Sequence, residues 1–214
     1  MGPILLLLYV NDLPDYLQKD VRLFADDTSI LFSHKPREDI TQEMNEVLNR
    51  LKKWSEDWMV DLNPEKTKCM LVNQAINFLK SRPVMGNEEL EFADCHKHLG
   101  VILNSKCTWL QHVDMILDKA NRRLGVLRGL KYRLNGDSLR KIYISHIRSV
   151  LEYANVVWNN RGEILSERID KVQNDAARII TGLPVYCRSD ILLREASLEA
   201  LKIRRERAVL VVFF

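Results

Sequence analysis

Residues 21–32 read VRLFADDTSILF, and the pattern of this segment is the most informative in the chain. Its two ends, residues 21–25 and residues 28–32, are rich in branched and aromatic side chains, as short β-strands are. Between them lie Asp26 and Asp27, and aspartate is a favoured turn residue. The pattern predicts a β-hairpin with both carboxylates at its turn.

The adjacent carboxylates of Asp26 and Asp27 indicate either a cation site or a solvated turn. Two such charges about 4 Å apart repel by roughly 4 kcal/mol at an effective dielectric of 20, and a bound cation would relieve that repulsion. Mg²⁺ suits them because it takes one or two protein carboxylates together with water and substrate phosphates. Aspartates are also common in ordinary turns, so the spacing alone leaves both interpretations open.

The rest of the first half is predicted to combine a helix with short strands. Residues 36–59 carry apolar side chains at the spacing of one helical face. Residues 67–73 predict a strand, and residues 90–93 with residues 98–103 predict a second hairpin. The apolar run at residues 4–10 is too short for a membrane span, which needs roughly 20 residues. Because it is apolar on every side and ends at a break at residues 11–14, it predicts a buried helix end.

The second half is predicted to be helical almost throughout, because its apolar residues follow the helical period and few glycines or prolines interrupt them. The predicted helices span residues 109–134, 138–159, 164–181 and 197–213. Asp137 stands where the N-cap residue of the second of these helices is expected.

Charge is distributed unevenly along the chain. Residues 1–63 carry 7 basic and 12 acidic groups, a net charge of −5, whereas residues 118–214 carry 19 basic and 11 acidic groups, a net charge of +8. An acidic first part suits a metal ion, and a basic second part suits a polyanion such as nucleic acid. Solvated helical faces are also often basic, so charge alone does not decide the partner.

The cysteines and tryptophans favour packing roles. The four cysteines lack the spacing of a disulfide framework, which favours reduced thiols in an intracellular protein. A zinc site is disfavoured because its candidate ligands lack the usual paired spacing. Those candidates are Cys95, His96, His98 and Cys107. The tryptophans fall on apolar helical stripes and are expected in packed faces rather than as base-stacking platforms. They are Trp54, Trp58, Trp109 and Trp158.

Phe24-Ala25-Asp26-Asp27 resembles the F/Y-A-D-D hairpin of reverse transcriptases. Residues 2–14, GPILLLLYVNDLP, resemble the segment just upstream of that hairpin in the polymerases of non-LTR retrotransposons, particularly the jockey-like group. Later segments follow in the order of the family. They resemble the next palm motif (residues 62–70), the primer-grip strand (residues 98–103), and the thumb and downstream helices (residues 151–158 and 172–182).

The resemblance implies an α+β fold. A partial reverse-transcriptase palm, made of hairpins plus a helix, would be followed by an all-α thumb and trailing helices. The palm part would occupy residues 1–105, including the FADD hairpin and the primer-grip-like strand. The helical thumb would occupy residues 106–160, and the trailing helical region residues 161–214.

The activity implied by the resemblance is RNA-directed DNA polymerisation in retrotransposition, by two-metal nucleotidyl transfer. The implied cofactor is Mg²⁺ or Mn²⁺. The implied partners are an RNA template, a DNA primer and, in the complete enzyme, a deoxynucleoside triphosphate. We expect no membrane partner and an intracellular location in the cytoplasm and nucleus, and the oligomeric state is left open.

The resemblance also assigns site residues. Asp26 and Asp27 would be catalytic and would hold the metal. Lys66, with Lys68 beside it, matches the motif lysine proposed to protonate the leaving pyrophosphate, a task that suits an ammonium group whose pKa its surroundings can lower. The residues expected to bind nucleic acid are His98, Leu99, Gly100, Arg122, Arg123, Arg140 and Lys141.

Two departures from the family pattern qualify this assignment. The other palm aspartate of the family lies upstream of the stretch seen here, as do the fingers, so we expect the chain by itself to be inactive as a polymerase. His98 stands where the family usually has tyrosine.

The alternative function is that of a non-catalytic protein that binds nucleic acid, or of a helical interaction protein. A metal-dependent nuclease would require further acids near the turn, and the spacing nominates none.

Overall fold

The computed structural model describes residues 2–33, 35, 39–72, 81–159 and 161–213. The chain mixes helices with short strands, as the sequence predicts, and it divides into two compact units. The first unit consists of Met1–His96 and Asn104–Cys107, and the second of Lys97–Leu103 and Thr108–Phe214. Each unit encloses a hydrophobic core of its own.

The first unit opens with two helices and a hairpin, which are followed by a long helix and short strands. The helices are α1 (Gly2–Tyr9), α2 (Leu13–Leu17) and α3 (Thr41–Asp57). The strands are β1 (Asp20–Phe24), β2 (Asp27–Leu31), β3 (Lys68–Cys69), β4 (Val84–Met85), β5 (Glu88–Glu89) and β6 (Glu91–Phe92). A further hairpin, β7 (Cys95–His98) and β8 (Val101–Asn104), leads into the second unit.

Helix α3 supplies one side of the core of the first unit. Its side chains Val47, Leu51 and Trp54 are buried in one cluster with Leu17 and Val21. The apolar face predicted for this helix is therefore confirmed. The described helix begins at Thr41, and residues 36–38, where the sequence places its start, lie outside the described residues.

The tryptophans follow the packing prediction in part. Trp54 and Trp158 are fully buried, and Trp109 packs partly buried against the core of the second unit. Trp58, at the end of α3, is 39% exposed, and its ring meets the ring of Tyr9 edge-on at 5.2 Å between centroids. A fully packed role is therefore wrong for Trp58.

The short strands pair differently from the prediction. Of the strand predicted over residues 67–73, only the two residues of β3 form a strand among those described, and residue 73 lies outside the described residues. Strand β3 pairs in parallel with β6, while β4 pairs with β5 and β7 pairs with β8. The predicted hairpin between residues 90–93 and 98–103 is wrong, because the chain turns back at Leu99 and Gly100. Both residues have positive φ, 46° and 82°, so residues 98–103 cannot form one continuous strand.

Helix α1 forms as predicted, but its apolar side chains are not buried. Ile4, Leu5 and Leu8 are 65%, 60% and 71% exposed, and burial begins only at Val10. The apolar composition of this run therefore does not reflect a buried position within the described first unit. No described helix has the length and apolar character needed to cross a membrane.

The second unit is helical apart from its share of the β7–β8 hairpin. Its α-helices are α4 (Leu110–Leu130), α5 (Gly136–Ile142), α6 (Ser149–Glu152), α7 (Glu163–Thr181), α8 (Ser189–Glu195) and α9 (Leu201–Phe213). A π-helical segment (Tyr143–Arg148) joins α5 to α6. The predicted helix over residues 164–181 is confirmed almost to the residue, whereas the helix over 197–213 begins only at Leu201 and α8 was not predicted.

The start of α5 corrects a predicted cap. Asn135, not Asp137, is the N-cap residue, and its Oδ1 accepts a hydrogen bond from the backbone N–H of Ser138 at 2.9 Å. That bond satisfies one of the free N–H groups of the first turn. Asp137 lies inside this turn and forms ion pairs with Arg140 and Lys141 at 2.9 and 2.8 Å.

The single helix predicted over residues 138–159 is wrong in two respects: a π-helical segment interrupts it, and α6 ends at Glu152. The spacing of buried side chains explains the π-helical segment. Leu139, Tyr143, Ile147 and Leu151 are all at most 2% exposed and follow one another at intervals of four residues. In a continuous α-helix each such step overshoots a full turn by about 40°, so three steps would carry the last side chain off the buried face. The wider turns of the π-helical segment, closed by i→i+5 bonds, compensate for the drift.

Candidate active site and nucleic-acid interface

The hairpin of β1 and β2 presents the two aspartates differently. Phe24 pairs with Asp27, so the turn consists of Ala25 and Asp26 alone, and Asp27 is the first residue of β2. The hairpin is confirmed, but the prediction that both carboxylates lie at the turn is wrong. Asp26 occupies the turn, and Asp27 occupies the adjacent strand end.

The two faces of this hairpin differ in burial. Val21 is buried and pairs with Ile30, which packs partly buried against the core of the first unit. Paired residues share a face, and faces alternate along a strand. Phe24, 62% exposed, and Leu31, 53% exposed, lie on the opposite face with Asp27. The second carboxylate is therefore on the solvent side of the hairpin.

Asp26 and Asp27 are both exposed, and they supply two carboxylates to any metal. Nowhere in the described ranges do three or more His, Cys, Asp or Glu side chains gather in a way that could hold a metal ion. This finding also gives no support to a zinc site at Cys95, His96, His98 and Cys107. Two carboxylates are compatible with Mg²⁺ when water and substrate phosphates complete its coordination.

The turn residue Ala25 is held in an unfavourable backbone conformation. Its φ is 53°, and Asp26 is not among the residues with positive φ, which is the pattern of a type II′ turn. Glycine is the usual residue at this first turn position because a Cβ is disfavoured there. The chain therefore carries local strain next to the candidate metal ligands.

Replacing Ala25 by glycine is expected to raise the free energy of unfolding of the first unit by about 0.5–1 kcal/mol. Relief of the left-handed strain, roughly 1–2 kcal/mol, exceeds the added entropy of glycine in the unfolded chain. Urea unfolding followed by circular dichroism measures the change. Ala93→Gly, at a position without positive φ, is the matched control and should lose stability. A loss in both variants would contradict the prediction.

Lys66 and Lys68 lie in different settings. Lys66 is exposed in a turn, where its backbone N–H donates to Oδ1 of Asn63 at 3.1 Å. Lys68 forms an ion pair with Glu91, and its hydrogen bond and charge lower the pKa of that carboxyl group. Among the described residues, no hydrogen bond or ion pair joins Lys66 to the Asp26–Asp27 hairpin. Its assigned proton-donating role stays a prediction.

The predicted nucleic-acid contact lies where β7 turns into β8: His98 ends β7, and Leu99 and Gly100 form a tight turn. The hydroxyl group of Tyr153 donates a hydrogen bond to the backbone oxygen of Leu99 at 2.8 Å. A Cβ atom added to Gly100 would lie 3.1 Å from Cε1 of Tyr153. Two features therefore favour glycine at position 100: its φ of 82° and the ring of Tyr153 beside it.

A buried group of side chains holds the strand that follows this turn. The backbone N–H of Ile102 donates to Nδ1 of His112 at 3.3 Å. The His112 ring meets the Trp158 ring edge-on at 5.2 Å, and both side chains are fully buried. Trp158 Nε1 in turn donates to the backbone oxygen of Tyr153 at 2.8 Å.

Tyr153 and His112 were not among the predicted site residues. Tyr153 does lie in a segment that resembles the family, residues 151–158, and this was the available signal. His112 shows no such signal, because only its contact with Ile102 reveals its place beside the hairpin.

His112 makes the stability of the second unit dependent on pH. Burial lowers its pKa below the usual 6.5, so below that pH the unfolded chain takes up a proton that the folded chain does not. The free energy of unfolding should therefore fall as the pH drops from 7 to 5, with this group contributing at most about 1.4 kcal/mol per pH unit. Above pH 7 its contribution is constant.

Thermal unfolding of His112→Gln across this pH range tests the prediction. Glutamine does not titrate and can still accept the hydrogen bond from Ile102. The variant should show a flatter pH profile, whereas His146→Gln, at an exposed position, should keep the slope of the original chain. An unchanged slope in His112→Gln would contradict the assignment.

The four predicted basic contacts differ in how fully their charges are offset. Arg122 is exposed on α4 and has no acidic partner in the described part of the chain. Arg123 donates to the backbone oxygen of His146. Arg140 and Lys141 share the carboxylate of Asp137, so this pair contributes less net charge than its sequence suggests.

The site residues divide between the two units. Asp26, Asp27 and Lys66 belong to the first unit. The second contains His98, Leu99, Gly100, Arg122, Arg123, Arg140 and Lys141. Within the second unit, the Leu99–Gly100 turn is tied to the helical residues through Tyr153 and His112.

Comparison with known proteins identifies the class of this chain. Residues 1–114 match the family described as "Reverse transcriptase (RNA-dependent DNA polymerase)". Because this match covers more than half of the chain, the chain belongs to the reverse transcriptase family. The resemblance based on the FADD hairpin is thereby confirmed.

Among curated relatives, the chain is 27% identical over 218 residues to "Probable RNA-directed DNA polymerase from transposon BS" of Drosophila melanogaster, covering 94% of this chain and 24% of that protein. It is also 27% identical over 208 residues to "RNA-directed DNA polymerase from mobile element jockey" of the same species, covering 91% and 22%. The chain thus spans about a quarter of the length of these relatives. No solved structure matches it significantly.

Proposed function

We propose that this chain is a part of the RNA-directed DNA polymerase of a jockey-like retrotransposon. The observation that carries the proposal is the FADD sequence at a tight hairpin, with both carboxylates exposed, inside the stretch that matches the reverse transcriptase family. In this proposal residues 1–105 are palm, residues 106–160 thumb and residues 161–214 a trailing helical region. The polymerase acts in the cytoplasm and nucleus.

The hairpin is the proposed metal site. Asp26 and Asp27 would hold Mg²⁺ or Mn²⁺ together with the phosphates of an incoming deoxynucleoside triphosphate. A bound ion of this kind neutralises phosphate charge and favours attack by the primer hydroxyl. The contribution of the chain is to hold two adjacent carboxylates, one in the turn and one at the neighbouring strand end, where solvent and substrate can reach them. Lys66 is proposed to donate a proton to the leaving pyrophosphate.

The second unit is proposed to hold the duplex of RNA template and DNA primer. The net charge of +8 over residues 118–214 supports this role, because phosphate contacts are electrostatic and independent of sequence. Arg122 and Arg123 of α4, with Arg140 and Lys141 of α5, are the proposed phosphate contacts. The Leu99–Gly100 turn is the proposed contact to the primer strand.

A binding experiment tests the second unit. A fluorescently labelled RNA–DNA duplex should bind at micromolar protein concentration, with the logarithm of Kd rising linearly with the logarithm of salt concentration. Arg122→Gln should reduce the salt slope by about 1, the loss of one phosphate contact. Arg140→Gln should have a smaller effect, because Asp137 already offsets that charge. Binding without salt dependence, or no binding, would contradict the proposal.

Polymerase activity requires more than these residues, and we propose that the chain alone does not extend primers. Two exposed carboxylates, without a third metal-ligating side chain near them in the described ranges, support this view. A primer-extension assay with Mg²⁺ or Mn²⁺ and all four deoxynucleotides should show no product. Incorporation that Asp26→Asn abolishes would overturn this part of the proposal.

Titration with Mg²⁺ separates the polymerase proposal from a helical interaction protein. In the polymerase proposal, the amide resonances of Asp26 and Asp27 shift when Mg²⁺ is added in the presence of a deoxynucleoside triphosphate. Asp12, an acidic residue of the same unit outside the hairpin, is the internal control and should not shift. Resonances of Asp26 and Asp27 that stay in place would favour the interaction protein.

A further inference from the structure

Tyr153 is placed to control the turn between β7 and β8. Its hydroxyl group donates to the backbone oxygen of Leu99 at 2.8 Å, although the two residues are 54 positions apart in the sequence. Its ring lies beside Gly100, at the distance where a Cβ would begin to crowd it. The side chain is 53% exposed, so burial alone does not explain its position.

The backbone of Tyr153 is itself fixed by the core of the second unit. Its carbonyl oxygen accepts the indole N–H of Trp158, and Trp158 is fully buried. The guanidinium group of Arg161 lies 4.6 Å from the centroid of the Trp158 ring and covers it. Tyr153 therefore extends from a rigid support to the exposed turn.

The buried side chain of Trp158 is also connected to the hairpin at a second point. Trp158 contacts His112, and His112 accepts the backbone N–H of Ile102. The hairpin is thus held at two points, the turn through Leu99 and the returning strand through Ile102. Two attachments fix the direction of a hairpin, whereas one would leave it free to pivot.

We propose that Tyr153 is a positioning residue that fixes the Leu99–Gly100 turn for contact with the primer strand. The proposal rests on the proposed function, because that function is what gives the turn its partner. The backbone of Leu99 supplies the physical reason. Its φ of 46° is a conformation that residues other than glycine hold only when their surroundings enforce it. The hydrogen bond from Tyr153 to the Leu99 carbonyl oxygen supplies such a constraint.

The test compares Tyr153→Phe with Tyr132→Phe in the full chain. Phenylalanine keeps the ring beside Gly100 and removes only the hydroxyl group that bonds to Leu99. Tyr132 is 91% exposed and serves as the matched control. Three quantities are measured for each variant: the amide resonance of Gly100, which belongs to the same peptide group as the Leu99 oxygen, the Kd for an RNA–DNA duplex, and the midpoint of thermal unfolding.

We expect Tyr153→Phe to shift the Gly100 amide resonance and to weaken duplex binding by about 3–10-fold, the effect of one lost hydrogen bond. Because the lost bond lies within the chain, the midpoint of unfolding should fall by only about 2–4 °C, and Tyr132→Phe should change none of the three quantities. Gly100→Ala should also shift the turn and weaken binding. Gly182→Ala is its control, because Gly182 has a similar φ of 74° but no atom within 4 Å of the added Cβ.

The outcomes distinguish this proposal from the proposed function. An unmoved Gly100 resonance in Tyr153→Phe overturns the positioning role. That role is also overturned if the resonance moves while duplex binding, measured well below the midpoint of unfolding, stays unchanged. If the original chain does not bind the duplex, the proposed function fails. The Gly100 resonance then decides by itself whether Tyr153 fixes the turn.

Discussion

Replacing Trp158 by alanine is expected to lower the free energy of unfolding of the second unit by about 3–5 kcal/mol, the usual cost of removing a large buried aromatic side chain. Trp158 is fully buried in the core of that unit, where its ring contacts His112 and Arg161. Alanine would leave a cavity and would also remove the N–H that holds the backbone of Tyr153. The loss should therefore lie toward the upper end of this range.

Urea unfolding followed by far-ultraviolet circular dichroism measures this change, because the second unit is largely helical. Val126→Ala is the matched control, because Val126 is 66% exposed on α4 and its truncation should cost less than about 0.5 kcal/mol. Trp158→Phe should fall between the two, since it keeps most of the ring and loses the N–H. Equal stability of Trp158→Ala and the control would show that Trp158 does not support the unit.

The second large effect is expected for Asp170→Asn. The side chain of Arg205 is 5% exposed and pairs with Asp170 at 3.1 Å, and Arg161 is buried close by. Burial lowers the pKa of Arg161 to about 10, to which Arg205 also contributes, while Asp170 acts in the opposite direction. Removing the carboxylate charge leaves the repulsion between these two buried guanidinium groups without its compensating charge.

We expect Asp170→Asn to cost about 2–3 kcal/mol, less than the roughly 3–5 kcal/mol of a fully buried pair, because water reaches 40% of the Asp170 side chain. Asp114→Asn is the control. It breaks the pair of Asp114 with Arg168, in which both side chains are more than 40% exposed, and should cost at most about 1 kcal/mol. Thermal unfolding of both variants at equal salt concentration gives the comparison. Similar losses would show that Asp170 does not stabilise the arginines.

Local patterns explain which parts of the fold could be predicted. The FADD hairpin and helices α3 and α7 were predicted because each depends on a short repeat of apolar residues and a recognisable turn or break. The sequence also placed Asp26 and Asp27 next to each other, which needs no knowledge of packing. Helix α1 was also predicted, but composition alone does not reveal what covers a helix, and its apolar side chains are exposed in the first unit.

The errors arise where backbone conformation or distant contacts decide. Leu99 was predicted in a strand because leucine gives no sign of a positive φ. The π-helical segment was predicted as α-helix because its apolar stripe was compared with a period of 3.6, whereas its buried members follow a period of four. The bond between Tyr153 and Leu99 joins residues 54 positions apart, and no local pattern carries that information.

The π-helical segment also affects how this chain is aligned with its relatives. A turn closed by i→i+5 bonds holds one residue more than an α-helical turn. A homologous polymerase with one residue fewer between Leu139 and Leu151 can therefore keep both ends of this region on the same buried face. Deleting one residue within residues 143–148 would keep the later side chains on the buried face. Deleting one residue within α7 would rotate all the following side chains of that helix by about 100°. Insertions and deletions should therefore concentrate in this segment rather than in the neighbouring helices.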